Sequence, residues 1–240
     1  MRVSLFIPCL VDQFAPETGV GMVKVLKKLG VSIDYPAEQT CCGQPAFNTG
    51  YRREAKRLAE RFIRIFKDAE YIVAPSGSCV AMVKVFYPQL DIDPNLQSDL
   101  EKVTRSIYEF SEFLVNVLGV VDVGARFSGR VTYHDACHLL RELKVRNAPR
   151  QLLQHVKGIE FVESENADVC CGFGGTFSVK YPEISTAMAE EKIDALQRSG
   201  AQYVIANDTG CLMQIAGLLS HRKMPIKTMH LAELLGGHLS

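Results

Sequence analysis

Tyr71-Ile-Val-Ala-Pro-Ser-Gly-Ser-Cys79 and Tyr203-Val-Ile-Ala-Asn-Asp-Thr-Gly-Cys211 are one pattern written twice, 132 positions apart. Each opens on a short apolar, β-branched run, the signature of a strand buried on both faces. Each then passes through small residues into a cysteine, where a helix is expected to begin. The text upstream repeats as well. Cys41-Cys-Gly43 and Cys170-Cys-Gly172 precede the two segments, and a single cysteine, Cys9 or Cys137, precedes each Cys-Cys-Gly. Between the lone cysteine and Cys-Cys-Gly lie 31 and 32 residues, and between Cys-Cys-Gly's second cysteine and the last one lie 36 and 39. Glu112-Phe-Leu114 with Gly119 answers Glu233-Leu-Leu235 with Gly236 near the two ends. The chain is therefore read as an internal duplication, with residues 1–124 as the first repeat and 125–240 as the second.

Within each repeat, apolar β-branched runs alternate with stretches of helical period. Val3-Ile7, Val31-Ile33 and Tyr71-Ala74 are expected strands, and Val131-Tyr133, Ile159-Val162 and Tyr203-Ala206 are their counterparts. Helices are expected over Thr18–Leu29 and Arg52–Phe66, then Leu139–Val156 and Ile184–Leu196, the last entered through Pro182, which suits a first helical turn. This alternation predicts an α/β fold of two tandem repeats, each a small parallel-sheet unit. Ligand sites in such sheets lie beyond the carboxyl ends of the strands. Cys9 and Cys137 follow the first strand of each repeat, the Cys-Cys-Gly elements the second, and Cys79 and Cys211 the third. The four thiols of a repeat are thus expected at one sheet edge, where helix N-termini favour the thiolate.

Bulk composition narrows the partners. The 240 residues carry 27 Lys+Arg against 27 Asp+Glu, and 47% are apolar. Such neutrality gives no reason to expect nucleic acid or an anionic membrane as partner, and the apolar share excludes disorder. No apolar run approaches the roughly 20 residues of a spanning helix, so no membrane insertion is expected. The stretch Val3–Val11 holds Pro8 and reads as a buried strand, not a leader, which places the chain in the cytoplasm.

Three chemistries can use four thiols. Disulfides are not expected in a chain with no secretory leader and enough length to build a core. Tetrahedral zinc remains the alternative, although structural zinc sites usually present paired short knuckles. An iron–sulfur cluster is the favoured reading, because soft thiolates from separate strand ends, with glycines beside them, let backbone N–H groups approach the sulfur atoms.

The repeated Cys, Cys-Cys-Gly, Cys pattern resembles the cysteine-rich (CCG) domain family, which includes the B subunit of heterodisulfide reductase and the iron–sulfur subunit of glycolate oxidase. A two-repeat chain of this length is most similar to the family's lactate-utilisation branch. The resemblance implies iron–sulfur clusters of the 4Fe–4S type, one per repeat, on Cys9, Cys41, Cys42 and Cys79 and on Cys137, Cys170, Cys171 and Cys211. It also implies a place in a multi-protein system that oxidises a small hydroxy acid, L-lactate, to pyruvate, with other iron–sulfur subunits as partners. Heterodisulfide or glycolate oxidoreduction, or a zinc-stabilised non-redox scaffold, are the alternatives. The family's fullest form carries a fifth cysteine three positions before the last. This sequence has Ser76 and Asp208 there. Both residue types are good N-caps, and an oxygen ligand is the other reading, with Asp208 the better candidate.

Other residues are set against this frame. His134, Asp135 and His138 surround Cys137, where the first repeat has Phe6, Ile7 and Leu10. A ligand or proton donor at His138 is weighed against a hydrogen-bonded structural histidine, and His230 is expected to cap or pack. Gly172, Gly174 and Gly175 do not form a dinucleotide fingerprint, because the next required glycine falls at Phe177 and the segment follows the second strand. The basic run Arg52, Arg53, Lys56, Arg57, Arg61, Arg64 and Lys67 reads as a solvated helix face, with docking of an acidic partner as the alternative.

Overall fold

Parallel pairing dominates the computed structural model, which describes residues 1–237 and 239. Among the described residues, β1 (Arg2–Leu5), β2 (Ser32–Asp34), β3 (Tyr71–Ala74) and β4 (Ile107–Glu109) form one parallel sheet in the order β2-β1-β3-β4. A second sheet of β5 (Arg126–Tyr133), β6 (Lys157–Phe161), β7 (Tyr203–Ala206) and β8 (Lys227–His230) repeats the order as β6-β5-β7-β8. The chain is α/β with two tandem repeats, as the periodicity predicts.

Helices connect the strands in matching places. In the first repeat α1 (Cys9–Phe14) and α2 (Pro16–Lys28) lead from β1 to β2, and α3 (Gln44–Asn48) and α4 (Arg52–Phe66) lead from β2 to β3. Next come α5 (Gly77–Ala81), continued by a π turn, α6 (Gln97–Ser106) and, after β4, α7 (Phe110–Glu112). In the second repeat the order is α8 (Cys137–Arg141), α9 (Asn147–Gln154), α10 (Phe177–Lys180), α11 (Pro182–Ser199), α12 (Thr209–His221) and α13 (Leu231–Gly237).

Three local expectations change: of the stretch Val3–Val11 read as a strand, β1 ends at Leu5 and Cys9 already opens α1, after Pro8. The single helix expected over Leu139–Val156 is two, because Lys144 takes φ 59° and Pro149 sits in the first turn of α9. A non-glycine residue in the left-handed region ends a helix. Each sheet also has a fourth strand. Ile107-Tyr-Glu109 and Lys227-Thr-Met-His230 are too short or too polar to register as apolar runs, and they pair because β3 and β7 offer free edges.

The strand order has a functional consequence. From β1 the chain moves outward to β2, then crosses back to lay β3 on the other side of β1. The gap between the carboxyl ends of β1 and β3, and likewise of β5 and β7, is a topological switch point, where open α/β sheets leave a crevice.

The two repeats share a core. Val3, Val73 and Leu26 of the first join Val131, Ile205, Leu231 and Leu235 of the second in one buried cluster. α2 lies directly on α13, and glycine makes that approach possible. A Cβ on Gly21 would run into the carbonyl oxygen of Ala232, and one on Gly236 would run into the Gly21 carbonyl. Gly21→Val should therefore force the helices apart and cost about 1–3 kcal/mol or more. Urea denaturation of the full chain reads this directly, and wild-type stability in the variant would show that the crossing is not a close one.

Candidate metal centre

Each cysteine reaches the site by a distinct local route. Cys9 and Cys137 are the first helical residues after β1 and β5, and Cys79 and Cys211 stand in the first turns of α5 and α12, after β3 and β7. The Cys-Cys-Gly elements come from loops that precede α3 and α10. Their glycines, Gly43 and Gly172, both adopt φ +86°. That turn points each glycine N–H back at the first sulfur of the pair, at 3.4 Å from Cys41 Sγ and 3.4 Å from Cys170 Sγ. Glycine is required twice over at 172, since a Cβ there would also strike the Ser185 carbonyl.

The thiols converge as the strand pattern predicts. All eight are free. Cys9 and Cys41 sulfurs lie 3.8 Å apart, and those of Cys42 and Cys79 lie 3.4 Å apart. The two sets also face each other. A single cavity of ≈ 290 Å³ is lined by all eight cysteines, with Ser76, Asp208 and His138 on its wall. Sequence reasoning placed four thiols at each sheet edge and did not foresee that both edges open into the same space.

Electrostatics in each set favour one negative charge and resist more. Cys41 is held low, at about 3, by hydrogen bonds from Cys42 and Cys9 and by the Gly43 N–H. Cys170 is held at about 2 by Cys137, Cys171 and the Gly172 N–H. The thiols that donate to them, Cys9, Cys42, Cys137 and Cys171, are pushed well up by those same bonds together with burial. A bound cation would draw these four donors toward the ligating thiolate form. Soft sulfur donors, two inward N–H groups and a mutual need for positive charge fit a soft-metal group in each set.

Ser76 and Asp208 turn out to bond to each other. Ser76 Oγ caps α5 by accepting from Cys79 N at 3.3 Å, and it donates to Asp208 Oδ1 at 2.9 Å. Asp208 does not cap its own helix. Its carboxylate reaches across to the first repeat and accepts from Ser78 N at 3.0 Å and Ser78 Oγ at 2.6 Å. Burial pushes its pKa up, against the pull of these donors.

The second repeat's polar residues divide by role. Asp135 takes both guanidinium arms of Arg150, at 2.8 and 2.7 Å, and is structural. His138 Nδ1 lies 3.5 Å from Cys137 Sγ, and its ring packs edge-on to Phe86. His230 Nδ1 accepts from Ala232 N at 3.1 Å and so caps α13. Sequence reasoning gave His134 no separate role. It is buried beside Cys171 and Cys211, with the ligand atoms of all three within 4.8 Å of one another. Its pairing with Phe6 in the aligned repeats was the available signal.

Most of the basic run on α4 is spent internally. Arg52 stacks on Phe47, Lys56 and Arg64 reach Glu60, and Arg61 bonds the Glu38 carbonyl. No helix among the described residues is long and apolar enough to cross a membrane.

Comparison with known proteins shows the family. The profile of the cysteine-rich domain, CCG, matches residues 3–84 and again 131–216. The chain is 48% identical to Lactate utilization protein A of Geobacillus kaustophilus (strain HTA426), covering 98% of each chain. It is 46% identical to the protein of the same name from Bacillus subtilis (strain 168), over 98% of this chain and 99% of that one. A solved structure of a hypothetical protein from Helicobacter pylori has a similar fold, with TM-score 0.66 at 10% identity over 98% of this chain. This chain spans 48% of that one, about half its length. With two copies of the Cys, Cys-Cys-Gly, Cys pattern at the paired switch points, the chain belongs to the cysteine-rich CCG domain family.

Proposed function

We propose that the chain is the thiolate-centre subunit of a multi-protein system that oxidises L-lactate to pyruvate. Each repeat, 1–124 and 125–240, holds one cluster of the 4Fe–4S type, the first on Cys9, Cys41, Cys42 and Cys79, the second on Cys137, Cys170, Cys171 and Cys211. The observation that carries this reading is the convergence of all eight thiols on one cavity of ≈ 290 Å³, with lactate utilization named for full-length relatives at 46–48% identity.

When bound, an iron–sulfur cluster would supply one-electron transfer, so two of them would match the two electrons released as L-lactate becomes pyruvate, while the two protons go to bases at the site and to solvent. The chain's own residues shape that role. Gly43 and Gly172 direct N–H groups at sulfur and steady its negative charge. Phe6, Phe62 and Phe66 pack ring against ring behind the first set and keep water from it. His138 stands on the cavity wall with Nδ1 3.5 Å from Cys137 Sγ. Electrons leave through other iron–sulfur subunits of the system.

Zinc is the second reading, favoured by one distance. The 3.8 Å between Cys9 and Cys41 sulfurs equals the edge of a tetrahedron with Zn–S bonds of about 2.3 Å, which is ~3.8 Å. Metal and sulfide analysis of the full chain purified without oxygen separates the two. Iron with acid-labile sulfide is the expected result, and zinc without sulfide would overturn the cluster reading. Loss of growth on L-lactate in a strain lacking the coding sequence tests the substrate.

A further inference from the structure

The two thiol sets are alike, but the residues behind them are not. Val3 pairs with Tyr71 in the first sheet as Val131 pairs with Tyr203 in the second, so His134 stands where the first repeat has Phe6. The buried face of α4 runs Ala55, Ala59, Phe62, Ile63, Phe66, and that of α11 has Ser185, Ala189, Lys192, Ile193 and Leu196 at the same spacing, with Ala195 buried in addition. Lys192 therefore stands where the first repeat has Phe62. Phe6 and Phe62 meet edge to face at 4.8 Å. The second repeat has put an imidazole and an ammonium in the place of two phenyl rings.

Both substitutions are costly unless something repays them. His134 is 1% exposed, and neither Nδ1 nor Nε2 makes a well-formed hydrogen bond among the described residues, the Ala167 backbone being the one polar group close to the ring. A buried polar group left unpaired costs about 1–3 kcal/mol, and native structures rarely leave one so. Lys192 is also 1% exposed, and its Nζ donates to the Asn166 carbonyl. Its charge lies within electrostatic reach of Cys171 and Cys211, and also of Asp168 and Asp135. The unpaired imidazole stands against those same two sulfurs, with all three ligand atoms within 4.8 Å of one another. An imidazole lone pair beside two thiols, with a cation behind them, is the donor set of a mixed nitrogen–sulfur metal centre.

We propose that the second centre takes a nitrogen ligand from His134 alongside Cys171 and Cys211, while the first centre is bound by sulfur alone. Lys192 offsets the negative charge that the thiolates bring to a buried place. Lys192 sets a positive charge behind the second centre where the first has only the Phe62 ring, so the second centre accepts an electron more readily than the first. The repeats are thereby ordered, with electrons running from the first centre to the second. This rests on the reading that the thiols hold metal.

The test uses the full chain in two loads, as purified without oxygen and as apo-protein refilled with cobalt(II), which is paramagnetic whatever the native metal is. Each is prepared with natural-abundance and with ¹⁵N-labelled histidine, and nitrogen hyperfine coupling at the metal is read by electron–nuclear double resonance. Coupling that changes with the label, disappears in His134→Phe and persists in His138→Leu is the expected result. Metal bound with no histidine coupling overturns the proposal, as does coupling that survives His134→Phe or is lost in His138→Leu. The comparison of labels in the unaltered chain stands even if His134→Phe fails to fold. Absence of bound metal in both loads would instead remove the parent reading. A chelator should also strip the second centre about 10–100-fold faster in His134→Phe when the first centre is disabled by Cys42→Ser.

Discussion

Cys171→Ala is expected to halve the iron and the acid-labile sulfide bound per chain, and Cys42→Ala to do the same. Each residue is the buried thiol of its Cys-Cys-Gly pair, at 2% exposure. Cys42 sits 3.4 Å from Cys79, and Cys171 donates to the thiolate of Cys170 while itself contacting Cys211. Truncation at either place takes one donor from a four-thiol set and leaves a void at the buried end of that set. Because ligand binding and local folding are linked, loss of one internal ligand removes about the whole metal affinity of that set. The other set, on the far wall of the cavity, keeps its four thiols. Iron and sulfide analysis beside the unaltered chain reads the result, and complete loss from either single variant would mean one group shared across the cavity, not two.

Alkaline destabilisation is the second large effect, and its source is Glu109. This carboxyl is fully buried at the end of β4 and gathers Ser111 N at 2.8 Å, Glu112 N at 3.2 Å, the Ser111 hydroxyl and, across the repeats, Asn207 Nδ2 at 2.9 Å. Burial outweighs these donors and pushes it from its ordinary 4.5 up to about 8. A carboxyl raised in the folded state contributes stability that is fully present below its unfolded value and is lost as pH rises through the folded one. His230, at the matching place on β8, works in the other direction. Burial lowers it from 6.5 to about 4, so its contribution is present above 6.5 and is lost as pH falls toward 4. The two slopes oppose each other between pH 4.5 and 6.5. Between pH 6.5 and 8 the Glu109 contribution falls by roughly 1.4 kcal/mol per pH unit, about 2 kcal/mol in all, against opposite slopes from the low-lying Cys41 and Cys170 thiols, which the Glu109→Gln variant shares. Glu109→Gln should remove that loss, as read by urea midpoints of both proteins across the window. Parallel pH profiles for the two would rule Glu109 out as the source.

The readable parts of this sequence are those in which a short segment decides its own structure. Tyr71–Ala74 and Tyr203–Ala206 lie in central strands whose apolar runs admit only a buried strand, and both fall on the residues expected. Arg52–Phe66 forms a helix over its expected length for the same reason, since its apolar residues hold one face. The cysteines follow from strand order alone. What escaped depends on partners distant in the chain. Asp208 has the sequence of a helix cap, and only its contact with residues about 130 positions away shows that it serves the other repeat's helix. His134 and His138 look equivalent beside Cys137, and depth of burial separates them. β4 and β8 carry no pattern of their own and exist because a neighbouring edge recruits them.

The bond between Ser76 and Asp208 also says what the two halves can no longer do. They occupy the same place in their respective repeats, and each faces the other across the seam. A pair made of two first repeats would set serine against serine and leave the Ser78 amide without its carboxylate. A pair made of two second repeats would bury aspartate against aspartate, and like charges at such distance disfavour one another by several kcal/mol. Each half is therefore complementary to its sibling and a poor match for a copy of itself. At these two positions the union of unlike halves satisfies polar groups that a union of like halves would leave unpaired or opposed.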